Sequence, residues 1–223
     1  MHFHLPKPLH GWREFAGEVG IIVIGVLIAL SAEQVVEALH WQSEVGQVRD
    51  AMRVELSADR ARTEENLAQN PCMLERLDAV ERWAATAPAG SRIANPEQPF
   101  LWNDHSSTWD IAKTSPAATH LGLGERLRYA GVYDSIANEQ RYLFGEQEIW
   151  NDLAASLASA DKPQNRDLIE RQVESARLKL AARESNARSL LKQLDALGIR
   201  PNSGAVNIKV NLQRLCQALP ISR

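Results

Sequence analysis

The side chains with the widest chemical scope in this sequence are two cysteines, Cys72 and Cys216, and a group of carboxylates and histidines around position 105. Asp104, His105 and His120 offer one carboxylate and two imidazoles, the donor types of a zinc site with one open position. Their spacing matches no ligand pattern. We therefore assign no metal and expect His105 to be a hydrogen-bonding loop residue. His2 and His4 sit in a short leader with Pro6 and Pro8 and are expected to be solvated. The sequence contains no H-E-x-x-H, G-x-S-x-G, phosphate-binding G-x-x-x-x-G-K-[ST] or C-x-x-C pattern. Catalysis needs a nucleophile beside a base, an acid with a base, or converging ligands. None is legible, so we expect neither an enzyme nor a cofactor. A formal net charge of -3 supplies no basic footprint, which argues against nucleic acid as a partner.

These side chains must be positioned by elements, and one element dominates the N-terminal part. Residues 17–30 read GEVGIIVIGVLIAL, the one run apolar enough to leave water. Extended to residues 15–36, it gives about 22 residues and about 33 Å of helix, enough to cross a hydrocarbon core of roughly 30 Å. Glu18 and Glu33 then lie near opposite interfaces, and Trp12 and Trp41 bracket the segment as interfacial aromatics do. Lys7 and Arg13 precede the run, whereas residues 33–47 contain no Lys or Arg. The positive-inside rule therefore places residues 1–14 in the cytoplasm as a leader and residues 37–223 outside it. We read an uncleaved anchor. A signal peptide cleaved after Ser31 and a buried or interfacial helix are the alternatives.

At 100° per residue, Glu18, Gly25, Ala29 and Ala32 share one helix line with Ile22 and Val36. Gly25 and Ala29 form a small-x-x-x-small pair that lets another helix approach closely in lipid. The expected partners are membrane lipid and either a second copy or another membrane protein. Ordinary use of small residues in membrane helices is the alternative. The stretch Gly17-Glu18-Val19 and residues 21–30, preceded by Gly11-Trp12-Arg13 and followed by Trp41, resembles the N-terminal signature of uncharacterised single-pass membrane proteins of Gram-negative bacteria. That resemblance covers about the first 40 residues. It implies an inner-membrane anchor with a periplasmic domain and no assigned catalytic residue.

The remaining pattern is helical. No proline interrupts residues 12–70, and Trp41, Val45, Val48, Met52 and Leu56 recur at three- and four-residue steps. The charge-rich residues 49–65 read as a solvated face. Asn70-Pro71 opens a second helix ending near Thr86. Residues 87–106 contain Pro88, Gly90, Pro96 and Pro99 and no helical period, so they form a long loop. Phe100, Trp102, His105 and Trp109 make this loop and its exit a candidate contact surface, or the lining of an apolar ligand pocket. Ser107-Thr108-Trp109-Asp110 reads as a capping box.

A long helix is expected from Glu125 to about Ala160, with a stripe of Tyr129, Val132, Ile136, Leu143, Trp150, Leu153 and Leu157. Asp161-Lys162-Pro163 separates it from another. There Ile169, Val173, Ala176, Leu180, Arg183, Ala187, Leu190, Leu194 and Leu197 keep an unbroken four-three spacing in which only Arg183 is out of character. We read a bundle helix, with an intermolecular coiled coil as the alternative. A short helix carrying Ile208, Leu212, Leu215 and Leu219 ends the chain. Cys72 and Cys216 either pair in an oxidising compartment or stay as two buried thiols. The expected class is all-α: an N-terminal transmembrane helix continuing into an extracytoplasmic helical bundle. The expected role is a structural or protein-interaction module; a ligand-sensing bundle working through a partner subunit is the alternative.

Overall fold

The computed structural model describes residues 11–159, 163–206 and 212–222. The leader with His2 and His4, residues 161 and 162 of the interhelical separator, and Ile208 lie outside the described residues. The fold is all-α. Helix α1 (Trp12–Ala68) runs for 57 residues through Gly25 and Gly46 without a break. With no proline in it, each interior amide keeps its helical acceptor. Helix α2 (Asn70–Thr86) carries Pro71 in its first turn, where the missing N–H leaves no helical bond unmade.

The chain divides into a unit ending at Val48 and a unit beginning at Arg49. In the first, an 18-residue window of the helical run has a mean hydropathy of 2.3, and none of it is buried. Ile21, Ile22 and Ile28 are each at least 65% exposed, so the protein itself covers none of these side chains. This helix is long and apolar enough to cross a membrane.

The second unit is built on two long helices, α5 (Leu123–Ala158) and α6 (Pro163–Ala196). Helix α6 packs against both α5 and α2. The apolar stripe of α6 is thus covered inside the unit, as in a bundle. Its core joins Met73, Leu77 and Val80 of α2, Trp150 and Leu153 of α5, and Ile169, Val173, Ala176 and Leu180 of α6. Each Val, Leu, Ile or Met side chain among these contributes about 1.5–3 kcal/mol on leaving water. Gly198 ends α6 at φ +66°, and Ile199 N–H donates to Leu194 O while Gly198 N–H donates to Asp195 O. This is a Schellman closure, whose left-handed position favours glycine.

Short elements complete the unit. Strand β1 (Arg92–Ile93) interrupts the loop and pairs antiparallel with β2 (Ile221–Ser222), Arg92 opposite Ser222. Helices α3 (Ser107–Ala112) and α4 (Ala117–His120) precede α5, and α7 (Leu212–Leu215) precedes β2. Two local expectations are corrected here. Helix α3 starts one residue earlier than the capping box predicts: its N-cap is Ser106 and makes no side-chain cap bond. Glu55 of α1 takes that role instead, accepting from Thr108 N–H at 3.0 Å and from Ser107 Oγ at 2.8 Å. The predicted solvated face of residues 49–65 is also partly interior. Asp59 and Thr63 are fully buried, because α1 turns a polar stripe toward the loop.

Candidate functional site

Along the buried side of α1, Asp59, Thr63 and Asn66 follow at helical spacing, with Gln69 after them. Each meets the loop that follows α2. The Asn66 amide grips Trp102 at two points, donating to its carbonyl at 2.9 Å and accepting from its N–H at 2.8 Å. Gln69 does the same to Phe100, at 2.6 and 2.9 Å. Two side-chain amides thereby supply to residues 100 and 102 the paired bonds that a neighbouring strand would supply. Further along, Asp59 Oδ1 accepts from His105 N–H at 3.0 Å, and Gln140 of α5 donates to Asp104 O at 2.6 Å. Residues 100–105 form a strap held from α1 on one side and α5 on the other.

Beneath the strap lie carboxylates that outnumber their cations. Asp59 Oδ1 also accepts from Arg62 at 2.8 Å, Asp104 Oδ2 accepts from Thr63 at 3.4 Å, and Glu139 Oε2 accepts from Asn186 at 2.8 Å. The other oxygen of each acid, Asp59 Oδ2, Asp104 Oδ1 and Glu139 Oε1, is buried without a hydrogen-bond partner. Burial first, and then the neighbouring charges of Asp59 and Glu139, push the Asp104 carboxyl well above the ordinary carboxylate range. Burial pushes Asp59 up to about 7 against the opposing His105 N–H and Arg62. Glu139 is raised for the same leading reason, with Asn186 and Arg183 opposing. Glu55 behaves oppositely. Burial alone would raise it, but bonds from Thr108, Ser107 and Tyr133 outweigh that and hold it below its ordinary value.

One step deeper, Arg183 is fully buried and donates to Glu146 at 2.5 Å and to Asn70 Oδ1 at 2.6 Å. Glu146 also accepts from Trp150 Nε1 at 3.2 Å. The residue that breaks the α6 pattern is therefore the cation of a buried ion pair. Glu139 and Glu146, which sequence reasoning missed, occupy the vacant steps of the α5 stripe. The four-three spacing of that stripe, continued through its polar members, was the signal that could have found them.

The contact-loop residues do not share one pocket. Phe100 lines a groove of about 270 Å³ with Pro99, Leu143 and Phe144. His105 lines a different, open surface with Val54, Glu55 and Ala58. Trp109 stacks on Tyr133 at 5.4 Å, and Trp102 packs edge-on against Phe100 at 5.1 Å. Asp104 is buried, whereas His105 and His120 are exposed, and among the described residues no three His, Cys, Asp or Glu side chains form a group able to hold a metal ion. Cys72 and Cys216 are disulfide-bonded with Cα atoms 4.6 Å apart. Beside them Arg76 donates to Leu215 O, Arg214 O and Pro96 O, tying the C-terminal segment and the loop to α2. Glu18, Gly25, Ala29 and Ala32 all lie exposed on α1, and a side chain added at Gly25 would meet nothing within 4 Å. The chain matches no family model, no curated protein and no solved structure.

Proposed function

We propose that this chain is a single-pass inner-membrane protein whose helical unit works outside the cytoplasm as a non-catalytic module for protein contact. The observation that carries the reading is the wholly uncovered apolar window of α1, in a chain whose second unit buries a core of its own. An uncovered helix of that hydropathy is at home in lipid. Lys7 and Arg13 before it, and the absence of Lys and Arg from residues 33–47, support a cytoplasmic N-terminus and a periplasmic domain. The open Gly25 face, with Ala29, Ala32 and Glu18, supports close approach by a second copy or another membrane subunit.

Membranes carrying the full-length protein should retain it in alkaline carbonate, with the mature N-terminus preceding Ser31. Gly25→Leu with Ala29→Leu should weaken cross-linking to its membrane partner by roughly threefold to tenfold. Release of the chain by carbonate would refute the anchor. Unchanged cross-linking would remove the packing face.

A further inference from the structure

We propose that Asp59 and Asp104 form a proton-controlled latch: protons held on their buried carboxyl groups keep residues 100–105 seated on α1, and losing those protons releases the strap. The proposal goes beyond the anchoring role and does not depend on it. Its ground is geometric. Asp104 belongs to the strap itself, and Asp59 holds the next residue of the strap through His105 N–H. Both side chains are almost completely buried, at 1% and 0% exposure, and each has one oxygen with no hydrogen-bond partner. A protonated carboxyl can donate from that oxygen, whereas a carboxylate leaves it bare in a medium of low dielectric.

The groups facing the pair cannot neutralise it. From α1 come Glu55, which adds negative charge, Arg62, which bonds Asp59, and the neutral Thr63. From α5 come Glu139, itself buried with an unpartnered oxygen, and the phenol of Tyr133, already committed to Glu55. Gln140 bonds only the backbone of Asp104. From α6, Asn186 bonds Glu139, and Arg183 is bonded to Glu146. Arg62 is therefore the one cation in hydrogen-bond contact with either acid among the described residues; it bonds Asp59 and acts on Asp104 only through space. Two adjacent carboxylates in such a site do not both ionise without cost.

The sign follows from the raised carboxyl of Asp59, which titrates near 7 when seated against 3.8 when free. A group raised on folding lends stability that is complete below its free value and lost as pH rises through its seated value. The contribution of Asp59 is thus complete only in acid, shrinks as pH rises toward 7 and is gone above it, so the strap is tightest in acid and loosest above neutrality. Because it is an irregular segment clasped by a few side chains, its opening is local rather than global.

The test is hydrogen exchange of the full-length protein in detergent micelles from pH 5.5 to 8.5, corrected for the intrinsic rate. Protection of the Phe100, Trp102 and His105 amides should fall by up to about tenfold for each pH unit below neutrality per proton released on opening, and should flatten above it once the seated carboxyls are ionised, while Ile136 and Leu180 stay protected. Asp104→Asn, which keeps the shape but cannot ionise, should reduce or abolish that dependence. If Asp104→Asn does not fold, Asp59→Asn serves the same purpose. The infrared band of a protonated carboxyl in the wild type should also fade as pH rises through neutrality. Strap protection independent of pH, an unaltered transition in both asparagine variants, or no protonated-carboxyl band at pH 6 would each overturn the latch.

Discussion

Arg183 shows how one residue can look like an error in a pattern and be a partner in another. Its side chain occupies a core position of α6 and meets Glu146 from the corresponding stripe of α5, with Asn70 of α2 completing the site. A buried ion pair is weak evidence for net stability, because desolvation of both charges offsets their attraction; removing one partner is costly. Arg183→Leu should therefore destabilise the second unit by about 3–5 kcal/mol, read as a shift of the urea midpoint in near-ultraviolet dichroism. Adding Glu146→Leu should recover most of that loss. If the double variant is as unstable as the single one, the cost lies in packing and not in the stranded carboxylate. Arg183 was visible in the sequence as a break in spacing; that its partner is Glu146 was not, since the two are 37 residues apart.

At the scale of elements, residues 12–86 follow their residue types closely. A proline-free run becomes α1, Asn70-Pro71 opens α2, and the Pro- and Gly-rich residues 87–106 contain no helix. The strap within that loop is a different case. Its backbone groups have no regular neighbour, so Asn66 and Gln69 satisfy them across 36 and 31 residues of sequence. Amide side chains on a helix do not announce which backbone they will meet, because most such side chains bond water or their own neighbourhood. Asn66→Ala should leave the N–H and carbonyl of Trp102 without their clasp at a cost of about 1–2 kcal/mol. Limited proteolysis within residues 98–105 should then run roughly 5- to 30-fold faster with the global unfolding midpoint nearly unchanged. Cleavage at the wild-type rate would show that Gln69, Asp59 and Gln140 hold the strap unaided.

The second unit is closed by a link between distant parts of the chain. The Cys72–Cys216 bond spans 144 residues and, with Arg76 and the β1–β2 pair, fastens the C-terminal segment to α2 and the loop. Cys72→Ser with Cys216→Ser should lower stability by about 2–5 kcal/mol, seen as an earlier urea midpoint under non-reducing conditions. An unchanged midpoint would mean that Arg76 and the strand pair suffice. Residue types and their periodicity, which act over a few turns of chain, were enough to determine the all-helical class, the uncovered apolar helix, the stripes of α5 and α6 and the glycine that ends α6. The tertiary structure alone decided which polar residues turn inward: Asp59, Asp104 and Glu139 under the strap, Arg183 against Glu146, and Glu55 as a cap for a helix 52 residues away. The physical reason is that a helical period places a face but not its neighbour. A buried polar group is defined by the neighbour that satisfies it or leaves it bare.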